Sequence, residues 1–379
     1  MHDRSALGPA DVSDVRLTGM VADLLGTDPA STTLVSSVAE EVQYDLPALT
    51  TAGRYWVRGT ARVDHASVPF TFFVKHVQSW SRSPFFESVP VELRPMAEAS
   101  VPWRTEPLVY RSDLRDRLPD GLTMPRALGV FDLDELSASI WLEAVQVQPA
   151  VWDTHRYARA AHLLGRLAGS PRVRELADVG HHDFHVRDYL RGRLNVQVLP
   201  MLHDERVWAH PLVAAAYDAD LRARLVAAAD LAPDVVEELA TFPMTTSHGD
   251  ACPNNLLAWA GSDGFVLIDY GFWTLQPVGF DLAQLLVGDL QLGRTTAGSL
   301  RQVEDTIVPA YVEGLAAEGC AVPAPDVRRA HALQLLVFTG LSTIPVEHFE
   351  RPPTPELHRL AADRAALARF SLDLLDATA

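Results

Sequence analysis

Two stretches decide how this 379-residue chain is read: His248-Gly249-Asp250-Ala251-Cys252-Pro253-Asn254-Asn255 and, further on, Ile268-Asp269-Tyr270-Gly271. In the first, Pro253 and two asparagines resist helix, so Asp250 and Asn255 stand in a loop. Between the stretches, Leu256–Trp259 and Phe265–Ile268 read as short strands joined by Gly261-Ser262-Asp263-Gly264, a hairpin signal. A hairpin brings its ends together, so Asn255 and Asp269 are expected side by side. An amide oxygen and a carboxylate are hard ligands, suited to Mg²⁺ carrying nucleotide phosphates. Asp250 can face the same centre and accept a hydroxyl proton. Phosphoryl transfer needs these parts together with a cation on the phosphates.

The composition supplies a candidate for that cation. Lysine and arginine total 32, yet the only lysine is Lys75. It stands in Thr71-Phe72-Phe73-Val74-Lys75-His76-Val77, an apolar run of strand character. A compact ammonium there is not interchangeable with a guanidinium fork. The formal charge of −17 argues against nucleic acid or an anionic membrane surface as partner. It weakly favours a cationic small-molecule acceptor, and a solvated acidic surface is the plainer reading. No apolar run has the length of a membrane span, and residues 1–30 lack the order of a signal peptide. A soluble, cytoplasmic protein is expected, with Cys252 and Cys320 as reduced thiols.

Working outward, residues 1–30 read as an N-terminal flanking segment with a short helix over 12–25. Strands are predicted at Val38–Tyr44, Tyr55–Val63 and Phe70–Val77, with a turn over 45–53. Residues 78–99 read as a loop, followed by a helix from Pro102 to about Leu114 that carries Glu106. Two more strands follow, Arg126–Phe131 and Ser137–Val145. After Gln148-Pro149 the pattern turns helical: Asp153 can cap a helix whose Tyr157, Ala161, Leu164 and Ala168 share one face. Asp188–Val198, Leu212–Ala229 and Pro233–Leu239 are further helix candidates. The expectation is an α+β protein with a five-stranded antiparallel sheet and one helix in an N-terminal lobe, 31–144, and a mainly helical C-terminal lobe, 145–379.

His248-Gly249-Asp250, four residues, Asn255 and then Ile268-Asp269-Tyr270-Gly271 resemble the protein-kinase-like superfamily. The similarity is to its aminoglycoside phosphotransferase and choline kinase group, where the first element reads His-Gly-Asp. The resemblance implies a two-lobed protein-kinase-like fold and use of ATP (or GTP) with Mg²⁺. It implies that Asp250 is the catalytic base, that Asn255 and Asp269 bind Mg²⁺, and that Lys75 holds the α- and β-phosphates with Glu106 as its partner. It casts Trp141–Val145 as the hinge, with the Glu143 carbonyl and the Val145 amide on adenine. His248 becomes a brace for the catalytic loop and Asp281 a structural aspartate.

There are departures from the family pattern. The turn between the first two strands has only Gly53 and no Gly-x-Gly-x-x-Gly. Tyr270 replaces a phenylalanine. Pro107 unsettles the register of the Glu106 helix, which leaves Glu98 as a substitute partner for Lys75. Gly180–His185 is dense in metal-ligand types without the spacing of a zinc site and reads as a polar loop. Cys252 lacks the setting of a nucleophile, and Trp273 reads as packing. The function expected is O-phosphorylation of a small-molecule hydroxyl acceptor by a monomer or homodimer. The acceptor would be an antibiotic (aminoglycoside, macrolide or nucleoside) or a related sugar, bound by the helical half at about 150–240 and 285–345. The role implied is antibiotic resistance, or a biosynthetic or catabolic sugar-kinase step. A kinase-like regulatory protein without turnover is the alternative.

Overall fold

The computed structural model describes residues 2–43, 48–181 and 185–379. The turn expected over 45–53 therefore lies partly outside the described residues, as do His182, Asp183 and Phe184 of the polar cluster. Eleven strands are described in chain order: β1 (His2–Asp3), β2 (Thr32–Glu41), β3 (Thr51–Val63), β4 (Ala66–Gln78), β5 (Leu122–Thr123), β6 (Ala127–Asp134), β7 (Ser137–Glu143), β8 (Met244–Ser247), β9 (Leu256–Ala258), β10 (Phe265–Leu267) and β11 (Thr274–Pro277).

The N-terminal lobe is a sheet in the order β1-β2-β3-β4-β7-β6. Five strands pair antiparallel, as expected; a sixth, the two-residue β1, joins the edge in parallel with β2. β3 and β4 are joined by Asp64 and His65, both at positive φ, as the tightest hairpin connections require. Period-two alternation then sorts the side chains of β4 onto two faces. Phe70, Phe72 and Val74 face a core shared with Trp141, Val57 and helix α1 (Asp14–Leu25), through its Leu17, Met20 and Val21. The segment read as a flank is thus part of this lobe. Phe73, Lys75 and Val77 occupy the opposite face of the strand, toward α3 (Thr105–Arg111).

Residues 78–99, expected as a loop, hold several helical turns and most of α2 (Arg94–Ser100). Ser79 and Ser81 both donate to Glu98, at 2.5 and 2.8 Å. This clasp ties the beginning of the segment to its end.

In the C-terminal lobe, Asp153 caps α4 (Thr154–Gly169) by accepting from the Arg156 amide, and Tyr157, Ala161, Leu164 and Ala168 are buried. Gly165 of α4 lies against α6 (Leu300–Ala317), where a Cβ would overlap the Tyr311 carbonyl oxygen. Beside them stand α5 (Phe280–Gln291), α7 (Ala324–Phe338) and α8 (Pro355–Ala377). The helix expected over 188–198 is irregular, since Gly192 leaves helical geometry. The one expected over 212–229 divides at Tyr217-Asp218, because the Asp218 side chain caps the second piece, Ala219–Asp230, through the Leu221 amide.

Candidate active site

The loop carrying Asp250 and the loop carrying Asp269 are held face to face by two short ladders. On one side Leu256 pairs with Leu267 across β9 and β10. On the other Ser247 pairs with Thr274 across β8 and β11. The Ile268 amide donates to the Asn255 carbonyl at 3.1 Å and closes the gap. The hairpin was legible in the sequence; the second ladder was not, because β11 is a four-residue strand with no turn signal of its own.

Asp281, at the start of α5, organises the loop that carries Asp250. Its carboxylate accepts from Ser247 Oγ at 2.8 Å, from the His248 amide at 2.9 Å and from the Gly249 amide at 2.9 Å. His248 is fully buried. Its Nδ1 accepts from the Asp250 amide at 3.4 Å, so Nε2 carries the hydrogen and donates to the Ile268 carbonyl at 3.0 Å. One imidazole therefore braces both loops. The residue after Ile268 is Asp269, held at φ 65°. Backbone strain of this kind costs about 1–3 kcal/mol in a non-glycine residue and persists where the surroundings impose it.

Two groups of side chains meet here. Asn255 Nδ2 donates to both the main-chain oxygen and Oδ2 of Asp250, each at 2.9 Å. Lys75 Nζ donates to Glu106 Oε2 at 2.5 Å and to Asp269 Oδ1 at 2.8 Å. The helix with Pro107 in its first turn thus presents Glu106, and not Glu98, to the lysine. Burial works against the Lys75 ammonium, but Asp269 and Glu106 outweigh it and hold its pKa above the ordinary value. Burial likewise opposes ionised Asp269; the Lys75 charge prevails and keeps that carboxyl below its usual range. At Asp250 burial wins, opposed by His248 and reinforced by Asp269, and the carboxyl is pushed up. Two neighbouring carboxylates with opposite shifts suit different roles.

Glu143 ends β7. Its amide and its side chain are both tied to Arg126, and Arg115 Nη2 stands 3.3 Å from its carboxylate. Beyond it, past Val145, the strand-like segment pairs with the C-terminal lobe: Val147 bridges Trp259, and Gln146 accepts from the Ala260 amide. Tyr270 is fully buried, its ring edge-on to Tyr110 at 5.7 Å. Trp273 is also fully buried and donates to the Leu176 carbonyl. Burial, with Asp250 adding to it, pushes the Cys252 thiol up to about 12. Among the described residues no cluster of three or more His, Cys, Asp or Glu side chains forms a metal site.

On the other side of Asp250 opens a cleft of about 1320 Å³. One of its walls is the segment 80–101, in which the sequence had singled out Glu98 as an alternative partner for Lys75 but had shown no wall of a cleft. The absence of any regular periodicity there hid it.

The family model described as the phosphotransferase enzyme family matches residues 111–313. No curated protein matches the chain. Among solved structures it is similar to an aminoglycoside phosphotransferase from Streptomyces rimosus, with 18% identity over 79% of this chain and 91% of that one and a TM-score of 0.41. It is also similar to an aminoglycoside phosphotransferase from Alicyclobacillus acidocaldarius, with 15% identity over 89% and 96% and a TM-score of 0.46. A macrolide 2′-phosphotransferase type I matches with 14% identity over 93% and 97% and a TM-score of 0.43. The family match spans more than half of the chain, so the chain belongs to the phosphotransferase enzyme family.

Proposed function

We propose that the chain transfers the γ-phosphoryl group of ATP (or GTP) to a hydroxyl of an antibiotic or a related sugar, and that its role is protection against that antibiotic. The observation that carries the mechanism is that the Lys75–Glu106–Asp269 group and the Asn255–Asp250 pair stand close enough for the Asp269 charge to act on Asp250. In this reading Lys75 holds the α- and β-phosphates, and Glu106 keeps its ammonium in place. Asn255 orients the Asp250 carboxylate, which positions the acceptor hydroxyl and takes its proton. The main chain of Glu143 and Val145 meets the base. His248 and Asp281 hold the loops in register.

Asn255 and Asp269 offer a hard donor set, an amide and a carboxylate kept ionised by Lys75, which fits Mg²⁺. Bound there, the ion would neutralise charge on the phosphates. No helix among the described residues is long and apolar enough to cross a membrane.

The test is turnover against a panel of hydroxylated antibiotics and amino sugars, read by nucleotide consumption and by phosphorus NMR of the product. Asp250→Asn and Asp269→Ala should abolish turnover while far-UV circular dichroism stays native. Normal turnover in either variant would overturn these assignments.

A further inference from the structure

The cleft beyond Asp250 is lined by Gly249 and Asp250 but by neither Lys75 nor Asp269, so it lies on the acceptor side of the base. Its volume, about 1320 Å³, exceeds the roughly 300–1,000 Å³ of most small-molecule sites. It has room for a body much larger than one sugar ring.

The chemistry of its walls is uneven. The N-terminal lobe contributes a roof from the clasped segment between β4 and α3: Trp80, Phe85, Val89, Leu93, Met96 and Val101. The opposite wall presents Tyr189, Val196, Phe272, Phe280 and Phe338. At the mouth, Phe85, Met96 and Phe272 are 50%, 39% and 44% exposed. Large apolar side chains gathered in the open around one cleft mark a binding surface.

Charge is sparse by comparison. Among the described lining residues the carboxylates are Asp188 and Asp250, and the one cation is Arg193. Asp188 is already engaged, by Arg191 Nη1 at 2.9 Å and by the His185 amide at 3.0 Å. An ammonium leaving water needs a carboxylate to meet it, and a polycation would find too few here.

Neutral polar groups are placed instead. Gln334 is fully buried, and its Nε2 donates to the Pro277 and Val278 carbonyls at 3.3 and 3.0 Å, which fixes the direction of the amide. Its Oε1 is buried with no partner among the described residues, and so is Oε1 of Gln276, a residue 3% exposed. Both glutamines line the cleft. A buried acceptor without a donor is costly to leave unsatisfied, and a hydroxyl from a ligand would satisfy it.

We infer that the acceptor is a bulky alcohol with an apolar body and at most one cationic group, macrolide-like in its chemistry and unlike a polycationic aminoglycoside. Its body packs against the roof 80–101, and its hydroxyls donate to Gln334 and Gln276. The inference rests on the phosphotransfer reading, in which Asp250 marks the reacting end of the cleft.

Calorimetric titration separates the two. AMP-PNP with Mg²⁺ is titrated first and reports on the phosphotransfer reading alone; absence of binding counts against that reading only. Erythromycin and streptomycin are then titrated with and without the nucleotide. Erythromycin should bind at least about tenfold more tightly than streptomycin. Leu93→Glu, at a half-buried roof position, should weaken erythromycin by about tenfold or more. Gln276→Met should weaken it too, while raising the melting temperature of the acceptor-free protein. A residue of merely structural role would lower it. Equal or tighter binding of streptomycin, binding of neither probe, or erythromycin affinity indifferent to both substitutions overturns the inference.

Discussion

Lys75 Nζ and Glu106 Oε2 stand 2.5 Å apart across the gap between β4 and α3, with side chains only 7% and 5% exposed. A charge pair this deep is costly to make and more costly to halve, because Glu106 without the lysine is an uncompensated buried ion. Lys75→Met should therefore destabilise the protein by roughly 3–5 kcal/mol. Lys75→Met with Glu106→Leu should recover most of that loss and none of the activity. Urea denaturation of the two variants and the parent measures this; full stability in Lys75→Met would show that the pair does not hold α3 to the sheet.

Gly249 predicts a second sensitivity. It adopts φ 82°, and a Cβ there would overlap the Phe272 carbonyl oxygen. Gly249→Ala should cost about 1–3 kcal/mol from its backbone alone, with the overlap adding to it. The damage should reach the Asp250 loop, so turnover should fall along with the melting temperature. A variant with native melting and native turnover would contradict this geometry.

His331 in α7 is fully buried, and both ring nitrogens lack partners among the described residues. Burial depresses its pKa from 6.5 to about 3, with Arg328 adding to the effect. Between those values the unfolded chain binds a proton that the folded protein refuses. This contribution is fully present above pH 6.5 and is lost as the pH falls toward 3, at up to about 1.4 kcal/mol per unit. His331→Leu should flatten that part of the stability profile relative to the parent. Denaturant midpoints of both proteins from pH 7 to pH 4 provide the comparison.

Cys252 lies two residues after Asp250, yet its thiol is pushed up to about 12 by burial. Iodoacetamide reacts with thiolate, so at pH 8 the folded protein should be alkylated at Cys252 at least about tenfold more slowly than free cysteine. Peptide mass spectrometry after timed labelling reads the rate. Rapid labelling of the native protein at this residue would indicate an activated thiol.

The site was legible in the sequence wherever the chemistry is local. Asp250 and Asn255 sit in one loop, the hairpin after them returns Asp269 to Asn255, and the single lysine stands on a readable strand. Glu106 was harder, because Pro107 beside it spoils the helical signal and Glu98 offered a plausible exchange. Three-dimensional packing decided between them: Lys75 points to the face of β4 that α3 covers, while Glu98 is held by Ser79 and Ser81.

By itself, then, the sequence determined the α+β class, the order of the strands that carry Lys75 and Glu143, and the loops bearing Asp250, Asn255 and Asp269. Hydrophobic alternation and turn chemistry act over a few residues and leave a record in residue order. Tertiary structure alone decided the remainder. It set the edge pairing of β1, the ladder between β8 and β11, and the brace that His248 makes between two loops. It also turned residues 80–101 from an apparent loop into the roof of a cleft. Those features depend on contacts between segments far apart in the chain, and no local periodicity encodes which distant surface a short, irregular segment will meet.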